Sequence, residues 1–160
     1  LMIAARLVEQ LAQRGWSVAA AESCTGGMIA SALTEVPGSS AVFRYGVITY
    51  ANEAKTRLLG VPPEVFIADG AVSESCARAM LTGLRELAQA ELCCAVTGIA
   101  GPGGGSAEKP VGTVWVGLGA LERSWLKRHH FDGDRAQVRT QARQVVLRGM
   151  SRILEGSSPW

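Results

Sequence analysis

Between residues 92 and 97 the chain reads Leu-Cys-Cys-Ala-Val-Thr, with no charge and a single hydroxyl. Successive side chains of a strand point to opposite faces, so a strand that is apolar at both odd and even positions has no face to offer to water. It belongs in the middle of a sheet covered on both sides. The cover has to be helical, and the rest of the pattern supplies the helices.

Ile3, Leu7 and Leu11, flanked by Ala4 and Val8, repeat at helical spacing up to Gly15. Ser17 to Ala21 reads as a short buried strand, Gly26 to Leu33 as a helix, and Pro37-Gly38-Ser39-Ser40 as a turn. Phe43 to Tyr50, rich in aromatic and β-branched residues, predicts a second strand, and Asn52 predicts a cap for a short helix over Glu53 to Leu59. Gly60 and Pro62-Pro63 read as its stop. Ser73 caps an amphipathic helix that includes Cys76, Met80, Leu84 and Leu87. Beyond the apolar run, Gly112 to Gly119 and Arg123 to Phe131 predict an antiparallel pair. Asp132 to Asp134 then caps a last helix with Val138, Ala142, Val145, Val146, Met150 and Ile153 inward, and Gly156 to Trp160 is expected to fray. The expectation is one domain over residues 1–160. Its fold class is α/β, a three-layer α/β/α sandwich on a mixed, mostly parallel sheet.

Composition narrows the partners. A net charge of +2 with 19% charged residues gives no basis for wrapping nucleic acid or for a polybasic membrane patch, though a small anionic ligand stays open. No apolar run approaches the roughly 18–20 residues of a membrane span. The first residues carry Arg6 and Glu9 in an amphipathic pattern rather than a signal peptide, so a cytoplasmic protein is expected. Cys24, Cys76, Cys93 and Cys94 lack CxxC spacing and predict free thiols, with neither zinc nor disulfides. Cys93 and Cys94 should point to opposite faces of their strand.

Chemistry is expected where strands end, since ligands of such sheets bind beyond the carboxyl ends of the strands. Ala21-Glu22-Ser23-Cys24-Thr25-Gly26-Gly27 brings a hydroxyl and unpaired amides to a helix start. Ser23 can serve there as a nucleophile or as an ordinary N-cap, and Cys24 as a thiolate ranks below it. Gly98-Ile99-Ala100-Gly101-Pro102-Gly103-Gly104-Gly105, after the central strand, is too rich in glycine for a regular element and suits close approach to a ligand. A serine nucleophile needs a base. His129 and His130 read as exposed residues of an edge strand, whereas Lys55 lies just past a strand end and is either that base or a solvated helix lysine. Ser124-Trp125-Leu126-Lys127 has S-x-x-K spacing in an extended segment, where the two residues face apart. Lys109 does not complete a phosphate-binding P-loop. Arg135 and Arg139, four apart, are either a solvated face or a fork for a phosphate.

These segments, together with Val36-Pro37-Gly38-Ser39-Ser40, Tyr50-Ala51-Asn52-Glu53-Ala54-Lys55, Leu59-Gly60-Val61, Gly70-Ala71-Val72-Ser73-Glu74, Thr97-Gly98-Ile99-Ala100-Gly101-Pro102-Gly103-Gly104 and Lys109-Pro110-Val111-Gly112-Thr113, resemble the CinA C-terminal domain family over almost the whole chain. Characterised members of that family are nicotinamide-nucleotide amidases. The resemblance implies hydrolysis of nicotinamide mononucleotide to nicotinate mononucleotide and ammonia by a Ser/Lys mechanism without metal or other cofactor. Ser23 matches the nucleophile and Lys55 the base. It implies an oxyanion hole at the amides of Thr25, Gly26 and Gly27. The nucleotide would be walled by Thr97, Gly98, Ala100, Gly101 and Gly104, with Arg139 and Arg135 on its phosphate. Many members carry an N-terminal domain of the molybdopterin-binding type for which this sequence has no room, so the likeness is to the stand-alone form. A non-catalytic nucleotide-binding module of the same fold, and an amidase for another small amide, are the alternatives; a homo-oligomer is open.

Overall fold

The computed structural model describes residues 2–160. Five strands form one sheet in the order β2-β1-β3-β4-β5, with β1 (Val18–Glu22), β2 (Phe43–Ile48), β3 (Leu92–Gly98), β4 (Thr113–Ala120) and β5 (Arg123–His130). β1 is parallel to both β2 and β3, while β3 and β4, and β4 and β5, pair antiparallel. β5 therefore runs with the first three strands, and only β4 opposes them. The apolar run forms the central strand, as its composition requires.

The period of two divides the sheet into two cores. Val18, Ala20, Leu92, Cys94 and Val96 face α1 (Met2–Arg14), α2 (Met28–Thr34) and α6 (Arg135–Leu154), in a core with Leu7, Leu11, Ile29, Leu33, Val138 and Met150. Ala19, Ala21, Cys93 and Ala95 face the other way, toward α3 (Asn52–Leu59) and α5 (Glu74–Ala88), with Leu59, Met80, Leu81 and Leu84. Cys93 and Cys94 thus lie in different cores, and all four cysteines are free. The alanines of β1 let the helices approach closely. On the α3 side the approach is closer still, because a Cβ on Gly83 of α5 would lie 1.8 Å from the Leu59 carbonyl oxygen. Only glycine fits there, and its absent side chain seats α3 against α5.

Several expectations shift. α2 starts at Met28 rather than Gly26, because Gly26 and Gly27 have φ of +58° and +103° and turn the chain before the helix. β1 begins and ends one residue later than its apolar run suggests. Asn52 is the first helical residue of α3, and Ala51 stands at the cap without a side-chain bond. Pro62-Pro63 does not simply stop the chain: Pro63 opens α4 (Pro63–Ala68), a position where its fixed φ and missing N–H cost nothing. The tail is packed rather than frayed. Arg152 Nε donates to the Ser158 carbonyl at 3.0 Å, Pro159 is buried, and Trp160 packs on the first core. The caps at Ser73 and Asp134 are as expected, the latter as a capping box with Gln137. Among the described residues, no helix is long and apolar enough to cross a membrane.

Candidate active site

Ser23 is the first residue beyond β1, and its N–H still donates to the Val96 carbonyl of β3 at 3.0 Å. The chain then folds back sharply: the Gly26 amide donates to the Ser23 carbonyl at 3.0 Å, and that of Met28 to Thr25 at 3.1 Å. Glu22, the last residue of β1, is only 1% exposed. Its carboxylate reaches across the turn to accept from the amides of Gly27 (3.2 Å), Ile29 (3.0 Å) and Ala30 (3.0 Å). This corrects the expectation for the oxyanion hole, because the Gly26 and Gly27 amides already have acceptors inside the protein. Among the described residues the Cys24 and Thr25 amides donate to no other residue, so the donors left at the turn are at Thr25 and Cys24.

Lys55 sits one turn into α3, is 2% exposed, and is among the largest fully buried side chains. Its Nζ lies 3.1 Å from Ser23 Oγ and 3.1 Å from the carbonyl oxygen of Tyr50. Burial pushes its pKa below the ordinary 10.5, opposed by the neighbouring thiols of Cys76 and Cys24. The solvated-lysine alternative is thereby excluded. A neutral amine in this position can take a proton from the hydroxyl that faces it. Burial also pushes the Cys24 thiol up to about 11, which leaves it un-ionised and a poor nucleophile near neutral pH.

Two loops and the start of α6 frame the pair. Arg139 donates from Nε to the Cys24 carbonyl (3.0 Å) and from Nη2 to the Thr25 carbonyl (3.2 Å), bracing the turn. Arg135 donates from Nη1 to the Gly101 carbonyl (2.7 Å) and from Nη2 to the Tyr50 hydroxyl (2.9 Å). Tyr50 follows β2 and Gly101 follows β3, the strands on either side of β1, so this guanidinium joins the loops that flank Ser23. Both arginines are at the site, and neither is a merely solvated residue; each holds protein oxygens.

In the glycine-rich loop, the Thr97 hydroxyl donates to the Ala71 carbonyl at 2.9 Å and ties β3 to the segment entering α5. Gly98 is held bare by β4, since a Cβ there would lie 2.7 Å from Val114 Cγ2. Ala100 belongs to the first core rather than to an open wall. Gly101 and Gly104, at φ of +87° and +86°, make the bends of the loop; Gly101 is buried with its carbonyl taken by Arg135, and Gly104 is exposed.

Sequence reasoning missed Glu22 and Tyr50. A signal existed for Glu22, because a carboxylate ending an otherwise apolar buried strand needs donors nearby. His130 is exposed as expected, but His129 is not: it is half-buried, stacked on Phe131 at 5.4 Å and edge-on to Trp160 at 5.6 Å. Both belong to β5, at the far edge of the sheet from β2. Among the described residues no three His, Cys, Asp or Glu side chains gather as a metal-binding group.

The CinA C-terminal domain family model matches residues 2–154. A protein of Pseudomonas putida named nicotinamide-nucleotide amidohydrolase PncC is 48% identical over 153 residues, which cover 96% of this chain and 94% of that one. A CinA-like protein of Geobacter sp. is 54% identical over 84% of this chain, but the match covers only 32% of its length. The chain thus spans about a third of such longer relatives. The crystal structure of the competence/damage inducible protein CihA from Agrobacterium tumefaciens superposes with a TM-score of 0.92 at 42% identity, covering 96% of this chain and 94% of that one. In sequence and in fold, the chain belongs to the CinA C-terminal domain family.

Proposed function

We propose that the protein hydrolyses the carboxamide of nicotinamide mononucleotide to nicotinate mononucleotide and ammonia, with Ser23 as nucleophile and Lys55 as general base. The observation that carries the chemistry is the 3.1 Å approach of a buried lysine amine to a serine hydroxyl at the end of a strand. The substrate is supported by the full-length likeness to the P. putida protein named nicotinamide-nucleotide amidohydrolase.

In this reading neutral Lys55 takes the hydroxyl proton as Ser23 Oγ bonds to the carboxamide carbon, and the carbonyl π pair moves onto oxygen. The amide of Thr25, with that of Cys24 beside it, faces the developing charge; one such donor is worth about 3 kcal/mol of barrier. Lys55 then returns the proton to the nitrogen, the C–N bond breaks, and ammonia leaves an ester on Ser23. Water, deprotonated by Lys55, attacks that ester and frees the carboxylate and the serine. At the end of β3 and in the loop after it, Gly98 and Gly104, which are not buried, border the ring and ribose. Arg139, expected first on the phosphate, is engaged with the Cys24 and Thr25 carbonyls, so Arg135 receives the phosphate by exchanging its bond to the neutral Tyr50 hydroxyl for one to an anion, in which both partners are charged. Residues 1–160 act as one domain, and a pyridine-nucleotide substrate places the reaction in the cytoplasm.

The test is ammonia release by the wild-type chain from nicotinamide mononucleotide, from nicotinamide riboside and from nicotinamide. The expected order of kcat/KM has the phosphorylated substrate first. No ammonia from nicotinamide mononucleotide, with enzyme that is folded, would refute the reading.

A further inference from the structure

We infer that Glu22 is a positioning residue for the nucleophile: its carboxylate is a built-in anion that fixes the Ser23 turn and fills the start of α2. This rests on the reading of Ser23 given above. Residues 23–27 contain two glycines of positive φ and form a turn with little rigidity of its own. Arg139 braces its middle through the Cys24 and Thr25 carbonyls, and the carboxylate on its N-terminal side grips three amides on its C-terminal side, at Gly27, Ile29 and Ala30. The residue that carries this carboxylate is adjacent in the chain to Ser23. Strand pairing holds the other end, through the Ser23 amide on Val96 and the Thr49 amide on the Glu22 carbonyl (2.9 Å). Ser23 is therefore clamped between a strand and the helix that follows it, with Oγ directed at Lys55.

The same bonds settle which anion the start of α2 can accept. In α/β folds the amides that open the helix after a strand commonly present themselves to a phosphate. Here Glu22 already occupies three of them from inside the protein, at 1% exposure. The phosphate of a nucleotide is excluded from this end and is left to cationic side chains such as Arg135. Replacing Glu22 with alanine would leave a carboxylate-sized gap facing unpaired amides, a gap that a small free carboxylate can fill.

The experiment compares wild type, Glu22→Ala and Glu22→Gln by steady-state kinetics on nicotinamide mononucleotide. A second readout is the rate at which a fluorophosphonate labels Ser23, followed by intact mass. Glu22→Ala is expected to lower kcat about 100-fold, the scale of a loss from misplacement of a reacting group, with KM little changed. Labelling should slow in parallel, and sodium formate, but not sodium chloride at equal ionic strength, should restore both. Glu22→Gln keeps the shape but turns an NH2 group toward an amide donor; it should fold, by near-ultraviolet circular dichroism, and still lose kcat rather than KM. Folded variants with wild-type kcat and labelling, or a folded Glu22→Ala that formate does not restore, would overturn the assignment. If wild type itself releases no ammonia, the substrate reading fails, and the labelling rates alone decide the role of Glu22.

Discussion

Lys55 and His129 are both bases taken out of water, and burial lowers the pKa of each, yet only one of them sits in a reactive arrangement. Lys55 has a hydroxyl and a carbonyl within 3.1 Å, arriving from two other segments. His129, lowered to about 4 by burial and by the charge of Lys127, lies between the rings of Phe131 and Trp160 with its Nε2 buried and unpartnered. A perturbed base marks a functional site only when groups it can exchange protons with converge on it. At the end of β1 they converge; on β5 the surroundings are aromatic packing.

The contrast can be broken most severely at Ser23. Ser23→Ala should cost at least about 10⁴-fold in ammonia release, as removal of a nucleophile that works as a unit with its base does. Lys55→Arg keeps the charge but cannot give up its proton near neutral pH, so kcat should fall about 10³-fold while nucleotide binding, followed by calorimetry, survives. The pH dependence sharpens the same point. Activity should rise with pH as Lys55 loses its proton, with a midpoint below 10.5, and this limb should vanish in Lys55→Arg.

Stability separates the two bases further. Lys55 binds its proton less readily in the folded chain than in the unfolded one, so unfolding takes up a proton between the lowered value and 10.5. Stability therefore rises with pH across that window, and the cost of burying the amine is present in full below it. Lys55→Met should remove that dependence and gain about 1 kcal/mol at pH 7 in chemical denaturation, while abolishing activity. His129 is also lowered, from 6.5 to about 4, so stability falls as pH drops through that interval, where the unfolded chain takes the proton first. His129→Phe should flatten this acid slope and leave kcat within about twofold, as befits a residue remote from the reacting groups. A large loss of activity in His129→Phe would erase the distinction between the regions.

Much of this was legible in the sequence where the signal is local. The uncharged run of β3 demanded a central strand, and Ser73 and Asp134 capped the helices they precede. Local signals misled where one residue has two uses: Pro63 read as a stop and is a start, and Gly26 read as helix and is the turn before it. The arrangement of the site depends on distant partners. Ser23 and Lys55 are 32 residues apart, Tyr50 and Arg135 85, and Cys24 and Arg139 115. Residue types and motif order could nominate Ser23 and Lys55. They could not show that Arg139 braces the turn, or that Glu22 consumes the amides of Gly27, Ile29 and Ala30, because those facts depend on the turn's path in space.

The most direct test of the account is rapid acid quenching of wild-type enzyme during its first turnover of nicotinamide mononucleotide, followed by peptide mass mapping. The account predicts a nicotinoyl nucleotide ester on Ser23 that forms as ammonia appears and decays as nicotinate mononucleotide is released. An adduct on Cys24 instead, or ammonia release that persists undiminished in Ser23→Ala, would contradict it.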